Sequence, residues 1–179
     1  QPEDPDFQNS VAMPVLRQIY EAFRSFSSRA TIPAETLERH FFRPIEEEYS
    51  WLHRSVVGLD QRAEVELFHS HDGPLWSEIE RRLAPLEVLK ITVLSPFFDR
   101  DIALLKRIRE RWQGAEFTVV AQPKYSNLPA HELVDLFSDG GTGRLIAATP
   151  APGRRLHAKA LAFETTAGTF WLAGSANAT

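Results

Sequence analysis

The run Val88-Leu89-Lys90-Ile91-Thr92-Val93-Leu94 constrains the fold more than any other stretch of the chain. It has the length of a strand, and its nearly continuous apolar character predicts a strand buried on both faces. Ser95-Pro96 ends it. Asp99 is placed to cap a helix running to Trp112, with Ile102, Leu105, Ile108 and Trp112 on its inner face, and residues 117–120 form the next apolar strand. Strand, helix, strand implies a parallel pair joined by a right-handed crossover. The pattern repeats with a helix over 129–137 and a strand over 144–148. The expected fold class is α/β, a mixed, largely parallel sheet flanked by helices and preceded by a helical segment.

That preceding segment carries apolar residues at helical spacing: Leu16, Ile19, Tyr20 and Phe23 predict a helix over 13–26. A second helix is expected from Pro33, carrying Leu37 and Phe41 and cut by Arg43-Pro44, and a third carries Ile45, Tyr49 and Leu52. Glu46-Glu47-Glu48 reads as a solvated face, because three consecutive helical residues point in different directions. Val65 and Leu67 alternate with Glu64 and Glu66 as a short strand, and Gly73-Pro74 opens a helix carrying Leu75, Trp76, Ile79 and Leu83. The expected organisation is a helical acidic segment, 1–60, followed by an α/β unit, 61–179, with the linker around 58–62.

Composition removes several function classes. With 43% hydrophobic and 25% charged residues the chain is an ordinary globular one, not a disordered one. The absence of cysteine excludes a disulfide scaffold, a thiolate metal site and cysteine catalysis. It fits cytosol and periplasm alike, and a cytoplasmic location is the expectation adopted. No apolar stretch approaches the roughly 20 residues that span a bilayer, so no membrane span is expected. The first residues are polar and acidic, and the start at Gln1 suggests an excerpt or a processed product. Residues 1–89 hold 9 basic against 16 acidic side chains, a net of −7, whereas residues 90–179 hold 11 against 8, a net of +3. A polyanion is therefore drawn to the second half and repelled by the first.

The chemistry concentrates in Leu156-His157-Ala158-Lys159-Ala160-Leu161-Ala162-Phe163-Glu164 and in Thr169-Phe170-Trp171-Leu172-Ala173-Gly174-Ser175-Ala176-Asn177. Both read as strands around a turn at 165–168, and alternation puts His157 and Lys159 on one face. An imidazole thus sits beside a fixed positive charge. Gly174 lets backbone approach a ligand closely, and Ser175 and Asn177 add uncharged donors for a phosphate oxygen. Strict alternation places Glu164 opposite His157.

These residues resemble the signature of the phospholipase D superfamily, His-x-Lys-x4-Asp followed by Gly-Ser-x-Asn, over roughly residues 86–179. Glu164 stands where the pattern has Asp, and the spacer to Gly174 is longer than the common one. The resemblance implies one half-domain of a phosphodiesterase that needs neither metal nor cofactor. His157, Lys159 and Glu164 would be catalytic, and Lys159, Ser175 and Asn177 would hold the phosphate. In that family two such motifs form one site: one histidine attacks phosphorus and the other protonates the leaving oxygen. Of six histidines only His157 is followed two residues later by lysine, so the second motif is expected from residues beyond Thr179 or from a second copy in a homodimer.

A nuclease acting on DNA or RNA is the favoured reading, since positive charge accompanies the motif. A phospholipid hydrolase is second; it needs an apolar entrance, for which Phe97, Phe98 and Trp171 are the candidates. A non-catalytic scaffold is third. His69-Ser70-His71-Asp72 resembles part of a zinc site but lacks further ligands, Asp139-Gly140-Gly141-Thr142-Gly143 reads as a helix cap and turn, and Arg107, Arg109 and Arg111 read as solvated surface.

Overall fold

The computed structural model describes residues 12–53, 67–68, 70, 73–138 and 142–174. The expected linker at 58–62, Val65, the His69, His71 and Asp72 cluster, residues 139–141, Ser175 and Asn177 lie outside the described residues. Two compact units, Gln1–Ile79 and Glu80–Thr179, divide the chain. No helix among the described residues is long and apolar enough to cross a membrane.

In the first unit α1 (Ala12–Ser27) is followed by α2 (Ala34–Leu37), a π-helical stretch (Glu38–Phe42), α3 (Arg43–Glu48) and a 3₁₀ turn (Ser50–His53). Arg43-Pro44 therefore does not cut the helix. The wide π turn just ahead of Pro44 relieves the clash that its ring would make with the carbonyl four residues earlier. Phe23 and Phe41 stack with ring centroids 5.2 Å apart, and Phe42 meets Phe41 edge-on at 5.5 Å. Glu46 is not part of a solvated face. It accepts hydrogen bonds from Arg24 and from the Tyr20 hydroxyl, while Arg24 also pairs with Glu38 at 3.0 Å. Burial, then the hydrogen bond to Glu46, raises the Tyr20 phenol above its ordinary value.

The helix α4 (Leu75–Leu83) leads into the second unit, an α/β fold with the order β1 (Val88–Leu94), α5 (Ala103–Arg111), β2 (Glu116–Ala121), α6 (Ala130–Ser138), β3 (Gly143–Ala147), β4 (Ala160–Thr165) and β5 (Gly168–Ala173). The five strands lie in the order β3-β2-β1-β4-β5. β1 pairs parallel with β2, and β2 with β3, whereas β4 pairs antiparallel with β1 and with β5. The sheet is thus evenly mixed, not largely parallel. No helix returns the chain after β3, so it enters β4 from the same sheet end at which it left β3, and the pairing with β1 must be antiparallel.

Ile91 faces Phe117 on one side and Phe163 on the other, so these three side chains share one face of the sheet. Trp112, just after α5, meets Phe163 at 5.3 Å, and Phe137 of α6 meets Phe117 at 6.3 Å, which puts both helices on that face. Leu105, Ile108, Leu133 and Leu136 complete the core there. Gly143 is required by this packing, because a Cβ at that position would run into the Phe137 ring. The opposite face carries ion pairs between strands, Lys90 with Glu164 at 2.7 Å and Arg144 with Glu116. Accordingly β1 is fully buried on one face only: Ile91 and Val93 are enclosed, while Lys90, Thr92 and Leu94 are partly open. The expectation of burial on both faces fails because α5 and α6 cover the same side.

α5 starts later than the sequence suggests. Asp99 does accept the Ala103 amide, at 2.8 Å, but Ile102 lies between them in the left-handed conformation with φ 46. Such a backbone is unfavourable for a β-branched residue, and the complete burial of the Ile102 side chain offsets it.

Candidate functional site

The carboxyl ends of β1, β2 and β3, the start of β4 and the end of β5 all fall at one end of the sheet, as the registers Leu94↔Val120, Leu94↔Ala160 and Ala160↔Ala173 require. Strand order reverses between β1 and β4, and open α/β sheets bind ligands outside such a switch point. Three loops meet here: 95–102 after β1, 122–129 after β2, and 148–159, which crosses the ends of β2 and β1 to reach β4.

Two side-chain amides tie these loops. Asn127 accepts the Phe98 amide at 2.7 Å and donates to the Phe98 carbonyl at 3.0 Å, which joins the first loop to the second. Gln122, almost fully buried, accepts the Leu156 amide through Oε1 at 2.6 Å and joins the second loop to the third. Leu156 lies directly between Arg155 and His157. Ser126 Oγ in turn accepts the Gln122 amide at 2.9 Å.

His157 and Lys159 stand at this end but not on a strand; β4 begins only at Ala160. The cause lies in β1, whose last paired residue, Leu94, faces Ala160 before Ser95-Pro96 turns away. Residues ahead of Ala160 have no ladder partner on that side, so alternation does not govern them. The Lys159 ammonium instead bends back and donates to the His157 carbonyl at 3.2 Å. On the other side the Gly174 amide donates to the Lys159 carbonyl at 3.2 Å, which sets the His-x-Lys segment beside the start of Gly174-Ser175-Ala176-Asn177. Ser175 and Asn177 follow directly in sequence, outside the described residues.

Glu164 is not brought to this end. It sits five residues along β4 from Lys159, roughly 16 Å at strand spacing, and its carboxylate pairs with Lys90. Phe98 is buried, 3% exposed, so it offers no apolar entrance, whereas Phe97 and Trp171 are 42% and 70% exposed. Arg109 donates to the Ala115 carbonyl at 3.0 Å, and Arg111 pairs with Glu80 at 3.5 Å and lies over Trp112, so these two arginines serve the fold. Among the described residues no group of three His, Asp or Glu side chains is arranged to hold a metal ion.

No family model, curated protein or solved structure matches this chain. The likeness to the phospholipase D signature therefore rests on the chain's own residues. Sequence reasoning passed over Gln122 and Asn127, although a glutamine directly after the apolar strand 117–121 is a legible signal: a polar side chain held where the core ends. Replacing Gln122 by Leu keeps the bulk and removes the Leu156 tether. The expected outcome is faster amide exchange at Leu156 and its neighbours, with a melting temperature within a few degrees of the parent. Parent-like exchange at Leu156 would show that the Gln122 side chain does not hold this loop.

Proposed function

We propose that the chain supplies one half of a metal-independent phosphodiesterase that cleaves nucleic acid through a phosphohistidine. The observation that carries this reading is the Gly174 to Lys159 hydrogen bond. It aligns the two parts of the motif at the sheet end where strand order reverses. An imidazole and an ammonium are groups an in-line displacement at phosphorus uses.

In the reaction one imidazole nitrogen forms a bond to phosphorus as the bond from phosphorus to the leaving oxygen breaks. The leaving oxygen takes a proton from the imidazolium of a second motif. Water then attacks phosphorus, gives its proton to that second imidazole, and the phosphorus–nitrogen bond breaks. A phosphodiester and water become a phosphomonoester and an alcohol. His157 fills one of the two imidazole roles, and Lys159 neutralises the phosphoryl oxygens.

Charge favours nucleic acid. From Gly140 to Phe163 the chain has four Lys or Arg residues and no carboxylate. Phe97, exposed at the same sheet end, favours a phospholipid as the second reading. The test is an internally phosphate-labelled oligonucleotide, mixed with the protein carrying its second motif and quenched in alkali. Label held by the protein in alkali and released by acid is expected, at a rate indifferent to EDTA. Loss of cleavage in EDTA with recovery on adding one divalent ion would overturn the histidine chemistry.

A further inference from the structure

The second of the three loops carries an exposed aromatic ring that the phosphodiester chemistry does not use. Tyr125 is 50% exposed, and the Arg155 guanidinium lies over its ring, 5.0 Å from the centroid. Its turn is tightly closed: the Tyr125 and Ser126 amides both donate to the Gln122 carbonyl, at 3.2 and 2.9 Å. Lys124 at the tip adopts the left-handed conformation, φ 68. The same Gln122 holds Leu156 through its side chain, so one residue closes the Tyr125 turn with its backbone carbonyl and tethers the segment carrying Arg155 and His157 with its amide.

Two of the three loops are one-signed, while the first carries Asp99 and Asp101 beside Arg100. Neither Phe117 to His131 nor Gly140 to Phe163 contains an Asp or Glu. Lys124, Arg154, Arg155 and Lys159 form no ion pair among the described residues, whereas Arg24, Lys90, Lys106 and Arg144 do. Cations left without counterions around a half-open ring form a surface suited to a polyanion with flat, apolar bases. In a duplex those bases are stacked on one another; only an unpaired strand presents them to a tyrosine.

We propose that Tyr125 and Arg155 form a stacking platform for an unpaired nucleobase, with Lys124 and Arg154 on the flanking phosphates, so that the strand reaching His157 is single-stranded. This rests on the phosphodiesterase reading above for its site. It is separable by experiment, because base stacking is read by binding and His157 by cleavage.

The test is fluorescence anisotropy with a labelled oligothymidylate of about ten nucleotides, its abasic counterpart and a duplex of equal length, using the parent and the Tyr125→Ala, Tyr125→Phe and Lys124→Ala variants. Tyr125→Ala is expected to weaken oligothymidylate binding by roughly 5- to 100-fold and leave the abasic strand unchanged, and Tyr125→Phe to bind like the parent. Lys124→Ala should weaken both single strands alike and lower the slope of log affinity against log salt by about 0.7. Parent-like binding by Tyr125→Ala overturns the platform, as does duplex or abasic binding equal to that of oligothymidylate. Binding of anionic phospholipid vesicles that depends on Tyr125, without oligothymidylate binding, also overturns it. A Tyr125 effect on binding in a protein that, with its second motif present, cleaves no oligonucleotide supports the platform and removes the phosphodiesterase reading.

Discussion

Substitution of His157 by alanine is expected to slow phosphodiester cleavage by about 10⁴-fold or more, with substrate binding changed by less than about threefold. In the proposed reaction the imidazole either bonds to phosphorus or passes the proton, and removing such a group costs most of the rate without touching the charges that hold the phosphate. His157 is exposed and outside the ladder, so the fold does not depend on it. Lys159→Ala has the complementary signature. The backbone of Lys159 still accepts the Gly174 amide, while a charge-assisted contact worth roughly 1.5–3 kcal/mol is lost, so binding weakens by about ten- to a hundredfold. Binding and single-turnover cleavage, measured separately for each variant with the second motif present, give the comparison. Parent-like cleavage by His157→Ala would make the imidazole a structural group.

Phe117→Ala is expected to destabilise the second unit by about 3–5 kcal/mol, the cost of removing a large aromatic side chain from a closed core. Phe117 lies on the central part of the sheet between Ile91 and Gly143, under the edge of Phe137. No neighbour can collapse into its place without disturbing α6. For a unit of about 100 residues that loss lowers the melting temperature by roughly 15–30 °C. Trp171→Ala is the control. That ring is larger but mostly exposed, and its removal is expected to change stability by less than about 0.5 kcal/mol. Thermal denaturation followed by circular dichroism reads both, and a shift of only a few degrees for Phe117→Ala would contradict this core.

The strands and helices of the second unit were legible because each carries one clear period. β1 reads as an apolar run, and the hairpin of β4 and β5 reads from its turn at 165–168, where Thr165 and Gly168 do face each other. What the sequence could not show was set by neighbours distant along the chain. The place where β4 begins depends on Pro96 leaving the sheet more than sixty residues earlier. The partner of Glu164 is Lys90, a pairing fixed only by the antiparallel register. Arg24 and Tyr20 claim Glu46 because one π turn, Glu38–Phe42, just ahead of Pro44 lets the helix run on through it. In the candidate site, His157, Lys159 and Gly174 were readable as a motif, whereas Gln122 and Asn127 act through backbone groups of other loops, so Asn127 left no mark in the sequence and Gln122 only its place after an apolar strand.

The loop that spans the ends of β2 and β1 has a thermal consequence. Ala148 donates to the Ala121 carbonyl at 2.9 Å and Leu156 to Gln122 at 2.6 Å; between them, among the described residues, the backbone is closed only by the Arg154 to Ala151 turn, and its side chains are mostly exposed. Segments with so few buried contacts open at a free energy well below that of global unfolding. Amide protons of residues 154–159 would therefore exchange faster than those of β1 and β2, and on warming, the imidazole and ammonium would lose their fixed positions while the sheet beneath still holds. The proposed cleavage would then switch off reversibly at a temperature below the melting transition, set by the tether at Gln122 rather than by the core.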